Sequence, residues 1–523
     1  MKKQGRDISL LRRSRRGFMR VVFSRVGLIA LLLMVEFALM MVLVFRAAEA
    51  WPPILGGTAL LSLIMALFLL NVHMDPTAKI TWLLVITIFP VFGALLFAYT
   101  RSDLGHRLLK RRVAAIAEES LRKLPPTYPA EEAFTQKDPR AAALVTYLRK
   151  SGCYPVFDRT EVTYFPSGEA KFAGLLRELE GAREFIFLEY FIIAEGEMWG
   201  QILEILARKA AEGVEVRVLY DGTCAFSTLS YDYPKRLRRL GIQAKIYAPI
   251  TPFFSTYYNY RDHRKILVVD GRVAFTGGVN LADEYINQLP RFGHWKDAAV
   301  MLRGDAVASF TLMFLDMWEL DEKSAEHERY LRLPEEPLKK PSGFVIPYGD
   351  CPLDRYKAGE QVYLDMLSRA ERHVRIMTPY LILDGEMENA LKYAAERGVE
   401  VSLILPGIPD KKMPYALAKT YYASLLESGV RIYEYTPGFV HAKVFLVDGR
   451  EAVVGTINLD YRSFYHHFEC AAYLYNVGCM ADIEADFAAT REKCRAVTPA
   501  ELKKEKLSTR LAGALMKGIA PLV

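Results

Sequence analysis

The chain has 523 residues, 51% of them hydrophobic and 25% charged, with a formal net charge of +7. That length exceeds one compact core, and the composition excludes a disordered or fibrous chain. Six cysteines (Cys153, Cys224, Cys351, Cys470, Cys479, Cys494) form no C-x-x-C pair and no zinc-finger spacing, so reduced thiols are expected in place of a disulfide scaffold or structural zinc.

Charge is unevenly spread. Residues 1–25 hold nine Lys/Arg and one acid, and residues 101–123 hold seven against three. Residues 124–523 carry 50 Lys/Arg and 54 Asp/Glu, a net of −4. The positive excess therefore flanks apolar segments, as in a membrane protein. A nucleic-acid enzyme would instead need a basic body to neutralise phosphates.

The basic segment 1–25 precedes a membrane block, 26–100. Its three apolar runs, 26–45, 54–72 and 80–100, are each long enough to cross about 30 Å of hydrocarbon as a helix. Glu36 is costly at mid-membrane and is expected to face another helix. Ala48-Glu49-Ala50 has the shape of a signal cleavage site, yet removal of the first run would leave two more. Lys/Arg flank both ends of the block, while the loops 46–53 and 73–79 hold one basic residue each. By the positive-inside rule both ends are cytoplasmic, which fits two crossings plus one re-entrant or interfacial segment better than three crossings. A multi-pass membrane protein is expected.

A basic, Pro-containing linker, 101–140, leads into an α/β pattern. Phe185–Ile193 reads as a strand, Gly200–Gly213 as a helix and Val214–Tyr220 as a strand; Val374–Leu383, Gly385–Gly398 and Val399–Leu405 repeat that grammar. Glu-Gly-Val-Glu-Val from Glu212 matches Arg-Gly-Val-Glu-Val from Arg397. Two copies of one α/β unit follow, 141–335 and 336–523, the second ending in a C-terminal helix.

Each copy carries the same polar segment. The first has His263, Lys265 and Asp270, then Gly277-Gly278-Val279-Asn280; the second has His441, Lys443 and Asp448, then Gly455-Thr456-Ile457-Asn458. Lys follows His by two, Asp by seven and Asn by seventeen in both. On a strand, residues i and i+2 share a face, so each His and Lys are expected to point together. A turn at Asp270-Gly271 or Asp448-Gly449 then returns the chain, bringing Gly278 or Thr456 and the Asn beside them. Two His, two Lys and two Asn around one point suit a phosphodiester. Lys and Asn hold the non-bridging oxygens, one imidazole attacks phosphorus and the other protonates the departing oxygen. Asp270 and Asp448 have the opposite strand parity and are read as structural partners at the turn, part of the motif but not its acid catalysts.

These paired H-x-K-x4-D segments resemble the phospholipase D superfamily. The apolar block, the run Asn259–Lys265, Gly277–Tyr285, Trp295-Lys296-Asp297 and Asn458–Phe464 look like bacterial cardiolipin synthases. The resemblance implies two phospholipase D-like repeats forming one pseudo-two-fold catalytic unit after N-terminal transmembrane helices. It implies a phosphatidyltransferase with His263 as nucleophile and His441 as acid and then base. Phosphatidylglycerol would be donor and acceptor, glycerol the product released, and no metal or cofactor would be needed. Asp297 and Glu469 would orient the imidazoles.

A hydrolase would use the same residues with water as acceptor, and phosphatidylethanolamine is a second possible acceptor. At His466-His467 related enzymes commonly have Leu-Asn; a surface imidazole is expected there first, with contact of one of the two with the lipid head group as the alternative. Between its Gly and its His the first repeat has ten more residues than the second, a stretch holding Phe253, Phe254, Tyr257, Tyr258 and Tyr260. These aromatics suit the lipid interface or core packing equally. In the tail, Leu507, Leu511, Leu515 and Ile519 recur at helical spacing, with packing on the body expected before membrane-surface binding. Nucleic acid is not an expected partner, and no feature bears on oligomeric state.

Overall fold

The computed structural model describes residues 51–101, 106–120, 123–124, 127–152, 154–249, 260–320, 327–331, 338 and 341–522. The segment 1–25, the run 26–45 with Glu36, the Ala48-Glu49-Ala50 triplet, Cys153, Asn259, Phe253, Phe254, Tyr257 and Tyr258 lie outside them.

Proline sets the layout of the N-terminal helices, α1 (Trp51–Asn71), α2 (Pro76–Ile88) and α3 (Pro90–Arg101). Asp75 caps α2 by accepting from the Ala78 N–H at 3.0 Å. The expected run 80–100 is not one helix. Pro90 lacks an N–H and breaks it after Phe89. The two pieces fold back on each other, so Trp82 and Phe97 meet edge to face at 5.1 Å. Leu69, Trp82, Ile86 and Phe97 form a small core, while Leu60, Leu63, Ile64, Leu67 and Leu70 are exposed. Among the described residues no helix is long and apolar enough to cross a membrane. Helices α2 and α3 have 13 and 12 residues, short of the roughly 20 needed.

The linker region is largely helical: α4 (His106–Ser120) and α5 (Tyr128–Lys137) precede α6 (Ala142–Ser151). Phe134, Leu144, Val145 and Leu148 are buried in the same core as Phe344, Val362 and Tyr473. Residues 128–151 thus pack on the second repeat, although they precede the first in sequence.

The first repeat contributes β1 (Thr160–Phe165), β2 (Phe185–Tyr190), β3 (Glu215–Asp221), β4 (Gln243–Tyr247), β5 (Arg261–Asp262), β6 (Lys265–Val269), β7 (Val273–Gly277), β8 (His294–Lys296) and β9 (Ala299–Gly304). The second contributes β10 (Phe344–Asp350), β11 (His373–Met377), β12 (Leu381–Ile382), β13 (Glu400–Pro406), β14 (Arg431–Tyr435), β15 (Gly438–Val440), β16 (Val444–Val447), β17 (Glu451–Gly455), β18 (Leu459–Asp460), β19 (His467–Tyr475) and β20 (Cys494–Ala496). The first sheet runs β1-β9-β7-β6-β2-β3-β4 and the second β10-β19-β17-β16-β11-β13-β14-β20. Strand for strand the order is the same, with β20 added at one edge.

Helices α7 (Gly168–Glu180) and α8 (Glu197–Ala211) cover the outer face of the first sheet. Helices α9 (Ala358–Arg369), α10 (Gly385–Glu396) and α11 (Lys412–Glu427) cover that of the second. The inner faces share one core, in which Phe187, Val268 and Leu302 join Val345, Leu446 and Leu474. The helix Val307–Trp318, buried almost all round, completes that core. The five described cysteines are free thiols.

The tail forms α12 (Leu507–Ile519), with its faces assigned otherwise than expected. Gly513 and Met516 are buried, whereas Leu507, Leu511, Leu515 and Ile519 are exposed.

Candidate active site

Two short ladders between the repeats position the histidines. Strand β5 pairs with the start of β19, and β8 pairs with β15. The His263 N–H donates to the Phe468 carbonyl at 2.9 Å, and the His441 N–H to the Lys296 carbonyl at 2.7 Å. Each histidine is thus anchored beside the carboxylate that follows its partner residue, Glu469 or Asp297. The strand β6 begins only at Lys265, so His263 belongs to the cross-repeat ladder and not to the hairpin strand.

His263 Nδ1 lies 2.9 Å from both Glu469 oxygens, and His441 Nδ1 lies 2.8 Å from Asp297 Oδ2. The orienting acids are therefore exchanged, each repeat supplying the carboxylate for the other's imidazole. All four groups are buried. Burial disfavours the imidazolium, holding His263 well below its ordinary value and His441 down at about 4. Burial alone would raise both carboxyls. His263, followed by His467, keeps Glu469 low, and His441 and Lys443 keep Asp297 low. Each unit pairs an imidazole Nδ1 with a buried carboxylate, which leaves Nε2 on the side away from that acid.

Lys265 Nζ donates to the His263 carbonyl at 2.5 Å. Lys443 Nζ reaches the His441 carbonyl at 2.6 Å and also His441 Nε2 at 2.9 Å. Burial lowers Lys265 to about 8 and Lys443 to about 7, and the charge of Lys265 lowers Lys443 and His441 further. The two motifs therefore share one electrostatic neighbourhood.

Asp270 accepts from the N–H groups of Arg183, Glu184 and Phe185 at 2.8–2.9 Å. Asp448 accepts likewise from Glu371, Arg372 and His373 at 2.7–2.9 Å. Both turn residues have positive φ, 52° and 54°, and Gly271 and Gly449 follow at 62° and 69°. These aspartates pin the hairpin turn to the strand beside it, remote from the imidazoles. Burial would raise the Asp448 carboxyl, but those N–H donors, led by His373, keep it low.

Asn280 Oδ1 accepts from Ile192 N–H at 3.0 Å, and its Nδ2 donates to the Tyr285 hydroxyl at 2.8 Å. Asn458 Nδ2 donates to Asp460 at 3.1 Å. Each amide nitrogen is thus shown spending one of its two N–H donors on a neighbouring side chain. A Cβ on Gly278 would fall 2.0 Å from Asp297 Oδ1, whereas Thr456 occupies the matching position and donates its hydroxyl to Glu469.

His467 is not a surface imidazole. The short helix Tyr461–Tyr465 turns the chain so that β19 starts at His467, whose ring is buried 5.1 Å from that of His263. Phe191 closes the same side, 4.9 Å from His263. Trp295 and Tyr285 line the other, 5.3 and 5.4 Å from His441. Lys171, which no motif marks, is buried beneath the site and bonded to the Tyr190 hydroxyl at 3.0 Å; burial lowers it to about 7. Its signal was a Lys on the apolar face of a helix. Among the described residues His263, His467 and Glu469 form the one trio whose donor atoms could gather on a metal, within 4.8 Å of one another. Ser463 and Thr456 already donate to the same carboxylate.

Residues 175–294 and 363–491 match the family described as cardiolipin synthase, PLD-like domain, and residues 60–99 match phospholipase D-nuclease N-terminal. The chain is 34% identical to a cardiolipin synthase of Alkalihalophilus pseudofirmus, over 87% of this chain and 91% of that one. It is 32% identical to cardiolipin synthase 2 of Bacillus cereus over 87% and 88%, and 57% identical to an uncharacterized protein of Streptococcus mutans over 87% and 99%. The phosphatidylserine synthase of Haemophilus influenzae shares the fold, with a TM-score of 0.52 at 16% identity over 69% of this chain and 93% of that one. The chain belongs to the cardiolipin synthase family of PLD-like proteins.

Proposed function

We propose that the chain is a cardiolipin synthase that moves a phosphatidyl group from one phosphatidylglycerol to another. The observation that carries the reading is the exchanged pair of imidazole–carboxylate units, His263–Glu469 and His441–Asp297, sharing the field of Lys265 and Lys443.

In this reading His263 Nε2 attacks phosphorus, and the bond to the glycerol oxygen breaks. His441, protonated as the anionic phosphodiester enters its field, gives that oxygen its proton, and glycerol leaves. The neutral His441 then takes the proton from a hydroxyl of the second phosphatidylglycerol. That oxygen attacks the phosphatidyl-histidine, releasing cardiolipin and His263. The ammonium groups of Lys265 and Lys443 balance the charge on the non-bridging oxygens. The domain division falls at 1–25, 26–100, 101–140, 141–335 and 336–523, and the block 26–100 holds the enzyme in the bacterial membrane as a multi-pass anchor. Its exposed leucines and flanking Lys/Arg support that placement.

Purified protein incubated with phosphatidylglycerol and EDTA is expected to release glycerol and cardiolipin in equal amounts. Phosphatidic acid as the main product would make the protein a hydrolase, and loss of turnover with EDTA would overturn the mechanism.

A further inference from the structure

The helix α12 seats on α11 through its small and buried residues. A Cβ on Gly513 would fall 2.4 Å from the Ala416 carbonyl oxygen, and Lys517 Nζ lies 4.3 Å from the Tyr421 ring centre. The opposite face is apolar yet exposed: Leu507 at 69%, Leu511 at 57%, Leu515 at 75% and Ile519 at 37%. Residues four apart advance by about 40° around a helix, so these four form one continuous stripe. Lys503, Lys504, Lys506, Arg510 and Lys517 are exposed on and beside this helix. Residues 501–519 hold these five bases against two acids, Glu501 and Glu505, a net of +3 on a body of net −4.

We propose that this stripe docks on the surface of an anionic lipid bilayer, with the helix lying in the interface plane. A thirteen-residue helix with one apolar face and basic residues beside it has the composition of an interfacial segment, too short to span. The local positive charge complements acidic headgroups and opposes face-to-face pairing with a second copy. A groove of about 450 Å³ between α11, the helix Pro499–Lys503 and α12 is lined by Lys419, Lys503 and Arg510 together with Glu427 and Glu505.

The test uses the full chain in lipid nanodiscs, with an environment-sensitive fluorophore on Leu511→Cys and a control label on Glu396→Cys. In discs containing phosphatidylglycerol the label at 511 is expected to shift to the blue and to be quenched by acyl-brominated lipid. Both effects should shrink in phosphatidylcholine discs and in about 0.5 M NaCl, and the label at 396 should stay wet. Leu511→Glu with Leu515→Glu is expected to raise KM for phosphatidylglycerol several-fold with kcat little changed. A label at 511 that stays as wet and unquenched as that at 396 overturns the proposal. So does burial that tracks protein concentration in place of lipid charge, which would assign the face to a second copy. The depth readout needs no turnover, so it stands apart from the proposed activity.

Discussion

The two repeats share a scaffold and differ in what surrounds the reacting atoms. Their sheets have one strand order, and their hairpin turns are pinned by the same aspartate through three backbone N–H groups. Around the imidazoles the likeness ends. His263 sits between Phe191 and His467, with Lys265 held on its carbonyl. His441 sits between Trp295 and Tyr285, with Lys443 on its Nε2. Gly278 makes room for Asp297, while Thr456 donates to Glu469. Beneath the site, Lys171 approaches the Val279 carbonyl at 3.5 Å, where the Tyr363 hydroxyl meets that of Ile457 at 3.1 Å. A duplicated frame fixes position, and the unlike linings support the proposed division of labour, with attack by His263 and proton transfer by His441, whose Nε2 meets an ammonium.

The sharpest way to break this contrast is to remove each imidazole. His263→Ala and His441→Ala should each lower turnover by more than about 10⁴-fold, with labelled lipid trapped on protein only where His263 remains. Label retained by the His263→Ala variant would reverse the roles. Next come the exchanged acids: Glu469→Gln and Asp297→Asn should each cost roughly 10²–10⁴-fold. Glu469→Gln should lose lipid labelling of His263 while Asp297→Asn keeps it; the opposite result would deny the exchange.

The Gly–Thr difference comes next, one arm matching the loss of the acid and the other falling below it. Gly278→Ala should displace Asp297 and cost turnover about as much as Asp297→Asn. Thr456→Ala should cost about 1.5–3 kcal/mol, the range for one hydrogen bond to a charged group. Equal losses would show the two positions to be interchangeable.

The mildest effect is on pH dependence. Both lysines are shifted down, so raising the pH through about 7 to about 8 removes the ammonium charges from the free enzyme. The imidazoles are also shifted down and stay neutral in mild acid, His441 until about 4. A plot of kcat/KM should therefore hold through mild acid and fall on the alkaline side, and Lys443→Arg should move that fall upward toward the value for Lys265.

Much of this organisation was legible in the sequence because it rests on local rules. The strand-helix-strand periods, the Asp-Gly turns and the paired spacings each depend on residues close in the chain. The exchange of carboxylates was not, since it depends on pairing between β5 and β19 and between β8 and β15, about 206 and 144 residues apart in sequence. His467 was misjudged for the same reason, its burial coming from that ladder. The broken third apolar run was visible in Pro90, but hydropathy outweighed it. Composition marked 101–140 as a linker, yet α5 there is held by Phe134 packing on a sheet that begins about two hundred residues later, and α4 by Arg112 and Ser120 bonding to Glu319 and Asp316.

The swapped acids have a consequence for descent and for engineering. Neither half, cut free, contains a complete imidazole–carboxylate couple, so separately expressed halves are expected to be inert until they are mixed. A chain with one such copy would need a twin to complete either couple, and carrying both copies in one chain makes that meeting permanent.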